Sequence, residues 1–342
     1  MTSHDSDSPL RTGERALIDH IRRRLPSPPV SVVVGPGDDA AVVAPARGAL
    51  QVLTTDVVVE GVHFERRFSR LSDVGYKALA VNVSDVIAMG ALPELALLSL
   101  ILPDRTTFEE VDALLDGFLE MAAAARMAVV GGNVSRSPGP LIVDVTATGS
   151  VRPRRILTRD GGRPGDALYL SGSIGGAAAG LGWLRTLGPS DPRTHEPGEM
   201  SLCVERHRRP EPRVRLGMLL GRNRAASACM DLSDGLADAV RQVAEASGTG
   251  AAIDAAALPI EPAAANWFRQ RGIDPVIAAV SGGDDYELLF ALPPKSRGRF
   301  RGVQSGLRGL PLTKIGELTA ERGFHLAREG GREELPSGFT HF

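Results

Sequence analysis

Strand-like and helix-like patterns of hydrophobic and polar residues are interleaved along the whole chain. Runs rich in β-branched residues at 30–34 and 50–59 predict strands. Residues 72–89 and 107–127 predict helices, and Thr107 is the expected N-cap of the second helix. The first part of the chain is therefore predicted to combine a sheet with helices.

The pattern starts again after an arginine-rich and turn-rich passage at 152–166, the predicted interdomain connection. One strand is predicted before this passage, at 141–151. After it, strands are predicted at 167–172, 226–233 and 285–292, and helices from about Gly176 and at 235–246. The fold class predicted from this order is α+β or mixed α/β in two domains. We expect a disordered tail at 1–11, an N-terminal domain at 12–151 and a C-terminal domain at 152–342.

Composition narrows the class of protein. The 342 residues are 43% hydrophobic and 23% charged, which is typical of an ordinary globular protein. A formal net charge of -2 argues against a nucleic-acid binder, which normally has a basic surplus. The N-terminus does not resemble a signal peptide, and the longest apolar run, 95–102, is too short to cross a bilayer. With only two cysteines, a reduced cytoplasmic setting is expected.

Two familiar sequence motifs of phosphate-handling proteins are missing from this chain. The only lysines are Lys77, Lys295 and Lys314, and none stands in the Gly-x-x-x-x-Gly-Lys-Ser/Thr context of a P-loop. The His-Arg-Asp and Asp-Phe-Gly signatures of protein kinases are also missing. Any phosphate chemistry in this chain must therefore use another source of positive charge.

Aspartates accumulate at the predicted junctions between strands and loops. They are Asp38, Asp39, Asp56, Asp85, Asp231, Asp234, Asp284 and Asp285. A single Asp in a glycine-rich turn often caps a helix, and for Asp234 capping and metal binding remain open. A turn requires only one of the adjacent pair Asp38 and Asp39. The whole set, with the hydroxyls of Thr54, Thr55 and Ser233 alongside, suits Mg²⁺, which binds carboxylates together with substrate phosphates.

Both halves of the chain carry similar acidic motifs. Asn/Asp-apolar-Ser-Asp before a helix occurs at 82–85 and at 231–234, and Gly-Asp-Asp before a strand occurs at 37–39 and at 283–285. Their order differs, so the chain is not a tandem repeat. Because both halves contribute acids, we expect the functional pocket to lie between the domains.

Two glycine-rich segments could instead contact a phosphate. Gly35-x-Gly37-x-x-Ala40 is a partial dinucleotide fingerprint, but its two aspartates would repel a pyrophosphate and an extended segment follows it. The loop 171–180 is a better candidate, although close packing of helix against strand is the favoured use of its glycines. A lone histidine such as His63 is more often structural than functional.

Taken together, these motifs resemble the thiamine-monophosphate kinase family of the aminoimidazole-ribonucleotide-synthetase-like ATP-binding superfamily. The resemblance runs from about residue 12 to the C-terminus. It rests on the ordered series "GPGDDAAVV", "TTDVVVEGVHF", "YKALAVNVSDVIAMGALP", "GGNVSRS", "LTRDGGRPGDALYLSG", "RHRRPEPR", "MDLSDGLADAV", "SGGDDYELLF" and "GFTHF". The segments "GVHF" and "GGDDYEL" distinguish this family from its superfamily relatives.

The resemblance implies a synthetase-like two-domain architecture and ATP-dependent conversion of thiamine monophosphate to thiamine diphosphate by direct transfer. It also implies a homodimer formed through the N-terminal domains and several Mg²⁺ ions. The implied magnesium ligands are Asp38, Asp39, Thr54, Thr55, Asp56, Asp85, Asn133, Asp231 and Asp234. Of these, Asp39, Asp56, Asp85 and Asp234 are the implied catalytic set. The implied ATP contacts are Phe118, Gly132, Asn133, Arg159 and Ser233, and those to thiamine monophosphate are His63, Asp284 and Phe339.

The chain departs from the family pattern at two positions. Asn133 stands where the family usually has Asp, so a metal there loses one charged ligand. Asp284 stands where the family commonly has Glu, one methylene longer. The alternatives are another superfamily member, selenophosphate-synthetase-like or hydrogenase-maturation-like, or a nucleotide- and metal-binding module without catalysis. Residues 1–30 contain neither the Cys nor the Lys that a selenophosphate synthetase would need.

Overall fold

The computed structural model describes residues 13–187 and 197–338. The predicted tail at 1–11 and the predicted substrate contact Phe339 lie outside these ranges. The described residues divide into two compact units, which are treated separately below. The first holds the chain up to Val86 together with Pro93–Ser150, and the second holds Ile87–Leu92 and the chain from Val151 onward.

The first unit is a sheet flanked by helices. Its elements are α1 (Glu14–Arg24), β1 (Val32–Val34), β2 (Val42–Val43), β3 (Leu50–Val59), α2 (Leu71–Ala88), β4 (Leu92–Pro103), α3 (Phe108–Ala125), β5 (Ala128–Ser137) and β6 (Ile142–Val151). The short strands β1 and β2 pair antiparallel, and the four longer strands form a sheet in the order β3-β6-β4-β5. In this sheet β4 and β5 are parallel.

One face of the four-stranded sheet is buried and the other is exposed. Side chains alternate between faces along a strand, so Leu98 and Leu100 of β4 are buried while Leu97 is 38% exposed. On β3 the same alternation leaves Leu53 66% exposed and Val57 40% exposed. An apolar sheet face of this kind is unusual on an isolated domain.

Helices α2 and α3 pack at unusually close range. A Cβ on Gly75 of α2 would lie 1.9 Å from the carbonyl oxygen of Leu114, and one on Gly117 of α3 would lie 1.7 Å from that of Ser72. Only glycine allows the two backbones to approach this closely. Thr107 caps α3 in a reciprocal capping box with Glu110, as its sequence predicts.

The second unit is built on a larger sheet. Its elements are β7 (Ala167–Ser171), α4 (Gly176–Thr186), α5 (Ser201–Arg208), α6 (Val214–Asn223), β8 (Ala228–Asp231), α7 (Leu236–Ala246), β9 (Gly250–Asp254), α8 (Pro262–Gln270), α9 (Pro275–Ser281), β10 (Leu288–Leu292), α10 (Arg297–Gly306), β11 (Leu312–Thr319), β12 (Phe324–Arg328) and β13 (Gly331–Glu334). Within the described ranges the strand order is β13-β12-β9-β11-β7-β10-β8.

Most neighbours in this sheet are antiparallel, and β12 with β9 is parallel. Apolar side chains of β7, β8 and β10, such as Leu170, Met230 and Leu289, belong to one buried cluster with Val240 and Val243 of α7. This core fixes the positions of the loops at the ends of β8 and β10, which carry the acidic motifs.

Most of the predicted elements are confirmed, including the strand at 50–59 and the helix at 72–89, which is observed at Leu71–Ala88. The strand predicted at 285–292 is wrong at its start. Strand β10 begins at Leu288, because Asp285 and Glu287 serve other contacts and Tyr286 has a positive φ of 47°. Among the described helices, none combines the length and the apolar character that a membrane span requires.

Candidate functional site

A cavity of about 1080 Å³ lies in the first unit, over the exposed face of its sheet. Leu97 and Thr146 contribute from the sheet, and Ile18 and Arg22 contribute from α1. The loop that follows β1 completes the lining. The sequence alone did not predict that α1 would border this space.

Four of the predicted ligand-binding residues line this cavity. They are Asp38, Asp39, Gly132 and Asn133. Asn133 lies opposite Ser99 in the parallel pairing of β4 and β5, which places it on the exposed face of the sheet. The cavity therefore brings together two motifs that lie nearly a hundred residues apart, the Gly-Asp-Asp loop and the glycine pair of β5.

The two adjacent aspartates have different surroundings. Asp38 Oδ1 accepts a hydrogen bond of 2.9 Å from the backbone N–H of Asp39, so Asp38 serves the local turn. Within the described residues, the Asp39 carboxylate has no hydrogen bond or ion pair, which leaves it available to a cation. The guanidinium of Arg22 lies beside Gly37, but its ion pair is with Asp19 at 3.8 Å.

A second set of predicted ligands lies on the other face of β3. Thr54 Oγ1 donates a hydrogen bond of 2.6 Å to Asp85 Oδ2 of α2. Asp56 shares the face of Thr54, because positions two apart on a strand point the same way. The Thr54–Asp85 pair and Asp56 thus lie on the same side of β3.

Thr55 points to the opposite face from Thr54. Its hydroxyl donates to the carbonyl oxygen of Val145 at 3.0 Å, and Asp144 Oδ1 lies 3.4 Å away. The structure thus separates the predicted N-terminal ligands into two groups. One group, Asp38, Asp39 and Asn133, lines the cavity, and the other, Thr54, Asp56 and Asp85, lies on the α2 side of β3, while Thr55 faces β6 and belongs to neither group.

His63 follows β3 and is half-buried. Its Nδ1 accepts a hydrogen bond of 3.1 Å from the backbone N–H of Val59. An accepting Nδ1 requires the neutral tautomer with hydrogen on Nε2. The contact with Val59 therefore holds the His63 ring in a fixed orientation at the end of β3.

Lys77 is a residue whose role the sequence did not predict. Its side chain is only 4% exposed, and its Nζ donates to the carbonyl oxygen of His63 at 3.4 Å. The signal in the sequence is that Lys77 is the only lysine before the interdomain connection. Burial next to His63 places a positive charge beside a predicted substrate contact.

The predicted nucleotide contact of Phe118 is wrong. The resemblance placed it near the nucleotide, but its side chain has no exposed surface and lies in the core of the first unit within α3. A ring without accessible surface cannot stack on a ligand. We therefore assign Phe118 to the packing of α3.

The oxygen donors fit Mg²⁺ chemically. Asp38, Asp39 and Asn133 face one cavity, and carboxylate and amide oxygens are ligands that hard cations prefer. Across residues 13–187 and 197–338, no three His, Cys, Asp or Glu side chains are already grouped to hold a single ion. Phosphate oxygens of a bound nucleotide would have to complete such a site, as is usual for Mg²⁺.

In the second unit, the Asp231–Asp234 loop and the Gly282–Glu287 loop are held together by their backbones. The N–H of Asp284 donates to the carbonyl oxygen of Ser233 at 2.8 Å, and the N–H of Tyr286 donates to that of Leu232 at 3.0 Å. This pairing places the loop with the predicted metal ligands Asp231 and Asp234 and the predicted ATP contact Ser233 beside the predicted substrate contact Asp284. Sequence reasoning did not predict this direct pairing of the two loops.

The remaining predicted nucleotide contact, Arg159, is exposed and donates from Nη1 to Gln242 Oε1 of α7. Gln242 Nε2 in turn donates to Asp238 Oδ2 at 2.5 Å. The described chain ends at Gly338, where an added Cβ would lie 2.8 Å from the carbonyl oxygen of Asp234. Arg159 and the C-terminal end of the described chain therefore both lie along α7, whose N-terminus follows Asp234.

Asp285 is not available as a ligand, because it binds the N-terminus of α4. Its Oδ2 accepts from the N–H of Gly175 at 2.7 Å and its Oδ1 accepts from that of Ala177 at 3.2 Å. A carboxylate thus already occupies the position that a phosphate would take at this helix. Gly180 packs against the backbone of Cys203, where an added Cβ would lie 2.2 Å from its carbonyl oxygen. The glycine at 180 thus serves close packing, but of helix α4 against helix α5 and not of a helix against a strand as predicted.

Burial raises the pKa of the Asp285 carboxyl to about 7, against the lowering effect of the Gly175 and Ala177 N–H donors. The native state therefore keeps a proton that the unfolded chain releases between about pH 4 and pH 7. The contribution of Asp285 to stability accordingly falls as the pH rises through that window. We expect Asp285→Asn, which cannot ionise, to become more stable relative to the wild type over the same interval.

Urea unfolding at a series of pH values measures this difference. Asp160→Asn is the matched control, since Asp160 is exposed. A difference between wild type and Asp285→Asn that is constant from pH 4 to pH 7 would contradict the assigned ionisation.

Glu287 and Arg213 form a buried ion pair that the sequence did not predict. Glu287 is completely buried, and Arg213 donates to its Oε2 from Nε at 2.7 Å and to its Oε1 from Nη2 at 2.5 Å. Ser171 Oγ also donates to Oε2 at 2.6 Å. The pKa of Arg213 is raised, because the bonds and charge of Glu287 outweigh the effect of burial. This pair connects the 206–213 segment to the Gly282–Glu287 loop.

Two protein-family models match this chain, one in each compact unit. Residues 37–151 match the family described as AIR synthase related protein, N-terminal domain. Residues 163–328 match the corresponding C-terminal domain. The two compact units are therefore domains of AIR synthase related proteins.

Closer relatives carry a more particular name. Thiamine-monophosphate kinase of Escherichia coli K12 is 37% identical over 97% of this chain and 99% of its own length. The crystal structure of thiamine-monophosphate kinase from Stenotrophomonas maltophilia K279a is 37% identical with a TM-score of 0.79, and covers 94% of this chain and 98% of its own. A structure of AaThiL complexed with AMPPCP and TMP is 34% identical with a TM-score of 0.75. It covers 97% of this chain and 98% of its own chain. The chain belongs to the thiamine-monophosphate kinase family.

Proposed function

We propose that this protein transfers a phosphoryl group from ATP to thiamine monophosphate and thereby forms thiamine diphosphate. The observation that carries the proposal is the near full-length match to thiamine-monophosphate kinases in a chain that keeps the acidic motifs. The complex of AaThiL with AMPPCP and TMP supports the choice of both substrates.

The chemistry requires no general base. The attacking group is a phosphate oxygen, and a phosphate monoester has a second pKa of about 6, so it is largely deprotonated at neutral pH. His63 is then assigned to the substrate phosphate as a binding residue, because Val59 holds its Nδ1 and fixes the ring. We assign Asp284 and Phe339 to the thiamine part of thiamine monophosphate. Phe339 follows Gly338 in sequence.

The main difficulty in this reaction is charge, since two polyanions must meet in line. We propose Mg²⁺ as the cofactor, held by Asp38, Asp39, Thr54, Thr55, Asp56, Asp85, Asn133, Asp231 and Asp234. When bound, Mg²⁺ neutralises developing negative charge on the transferring group. The availability of the Asp39 carboxylate supports this proposal. Gly132, Arg159 and Ser233 are assigned to ATP, with the glycine allowing the backbone to approach the nucleotide.

The Asn at position 133 gives a direct test of the metal assignment. We expect Asn133→Asp to lower the Mg²⁺ concentration that gives half-maximal rate, because it adds a charged ligand to the cavity that contains Asp38 and Asp39. Initial rates over a Mg²⁺ titration measure the change. Asn133→Gln, which adds no charge, is the control, and an unchanged or raised requirement in Asn133→Asp would remove position 133 from the metal site.

We propose a homodimer formed through the N-terminal domains. The exposed apolar sheet face that carries Leu53 and Val57 supports this surface as the interface. Sedimentation of the 36.1 kDa chain at twice that mass is the expected result. A monomer at micromolar concentration would contradict it.

We propose a cytoplasmic location. Both cysteines, Cys203 and Cys229, are buried as free thiols, which is the usual state of cysteine in a reducing compartment.

The decisive experiment incubates the protein with Mg·ATP and thiamine monophosphate and separates the products by chromatography. Formation of thiamine diphosphate and ADP in equal amounts is expected. ADP release without thiamine monophosphate would indicate a different acceptor. Nucleotide binding without turnover would indicate a non-catalytic module.

A further inference from the structure

The segment Arg206–Arg213 contacts the Gly282–Glu287 loop through two side chains. His207, in α5, lies with its Nδ1 3.6 Å from Asp284 Oδ2. Arg213, just before α6, binds Glu287 in the buried pair described above. One contact joins the start of the segment to Asp284, and the other joins its end to Glu287. The segment therefore contacts the loop from the interior of the second unit.

His207 and Asp284 differ in exposure. The His207 side chain is 4% exposed and that of Asp284 is 33% exposed. The imidazole thus lies behind the carboxylate, which itself reaches the surface. A ligand can reach Asp284 from outside, while His207 can act on such a ligand only through Asp284.

The loop holds Asp284 in an uncommon conformation. Its φ of 69° and the φ of 47° at Tyr286 lie in the left-handed region, which residues other than glycine rarely adopt. Such backbone conformations persist where surrounding contacts fix them. Tyr286 OH donates to Asp284 Oδ1 at 3.3 Å, so each carboxylate oxygen has a side-chain neighbour, Tyr286 on one and His207 on the other.

We propose that His207 is a positioning residue that orients the Asp284 carboxylate toward thiamine monophosphate. This inference rests on the proposed function, in which Asp284 contacts the substrate. Asp has only two side-chain torsions, and contacts on both oxygens fix the second of them. An oriented carboxylate binds a cationic ring with less loss of side-chain freedom than a rotating one.

The first test compares two replacements of His207. His207→Leu removes the nitrogen that faces Asp284, whereas His207→Asn places an amide near the position of Nδ1. We expect His207→Leu to raise KM for thiamine monophosphate about tenfold, because the Asp284 carboxylate loses the polar neighbour of its Oδ2 and becomes free to rotate. KM for ATP should change little, and His207→Asn should restore most of the loss. Equal increases in both KM values would overturn the proposal, because they indicate general damage to the fold.

The second test asks whether His207 acts through Asp284. Asp284→Asn keeps the size of the side chain and tolerates the left-handed conformation. In that background, His207→Leu should have no further effect on KM for thiamine monophosphate. Two independent, multiplying effects would overturn the proposal. Tyr286→Phe is the matched variant for the other carboxylate oxygen and should still respond to His207→Leu.

Calorimetric titration with thiamine monophosphate separates this inference from the proposed function. If the wild type binds the compound but does not phosphorylate it, the proposed function fails, and the same two comparisons are made on Kd. If His207→Leu leaves both Kd and KM unchanged, the positioning role fails while the proposed function stands.

Discussion

Asp56→Asn and Asp234→Asn should each lower kcat for thiamine diphosphate formation by about a thousandfold, while the fold remains intact. Asp56 shares a face of β3 with Thr54, which binds Asp85, and Asp234 lies in the loop paired to Asp284. Asn keeps the shape of each side chain and removes its charge. Loss of one charged ligand removes several kcal/mol of transition-state stabilisation, and about 4 kcal/mol corresponds to a thousandfold in rate.

Steady-state rates at saturating Mg²⁺ and ATP measure this loss, and circular dichroism checks the fold. Asp104→Asn serves as the control in the first domain, since Asp104 is exposed and pairs with Arg136. Asp160→Asn, at another exposed position, serves in the second domain. Full activity of either test variant would remove that carboxylate from the site. A loss in the controls as large as in the test variants would mean that the rates report folding and not chemistry.

Arg213→Met should lower the free energy of unfolding by about 3–5 kcal/mol, because it leaves the Glu287 carboxylate charged and buried without its partner. Glu287 has no exposed surface and Arg213 is 13% exposed, so solvent cannot replace the missing guanidinium. Ser171 would remain as a donor, but one neutral hydroxyl does not offset a buried charge. Urea unfolding of the wild type and the variant measures the difference.

The double variant Arg213→Met with Glu287→Gln distinguishes charge from packing. Gln keeps an acceptor for Ser171 and removes the charge, so the double variant should be more stable than Arg213→Met alone. Arg301→Met, at an exposed position of α10, should stay within about 0.5 kcal/mol of the wild type. A single variant as stable as the wild type would show that the ion pair is not required.

Local patterns in the sequence were enough for many of the elements. The β-branched run at 50–59 is strand β3, and Thr107 with Glu110 begins α3 in a capping box. These features depend on neighbours within about four residues, so the sequence contains the information directly. The strand predicted at 285–292 failed at its start for the opposite reason. Asp285 binds a helix more than a hundred residues away in sequence, and no local pattern reports that contact.

The same distinction holds for the candidate site. The sequence favoured metal binding over a turn role for the two adjacent aspartates, whereas the structure shows that Asp38 serves the turn. It could not separate Thr54 from Thr55, which point to opposite faces of β3. It also counted Asp285 among possible ligands and placed Phe118 near the nucleotide, although burial excludes both from direct contact.

By itself, the sequence determined the family and most of the helices and strands. These follow from residue types at fixed spacing, which are written in the chain. The tertiary structure decided which carboxylates face a cavity, which one caps α4, and that His207 stands behind Asp284. Those outcomes depend on burial and on side-chain contacts between residues distant in the chain, and such contacts exist only once the chain has folded.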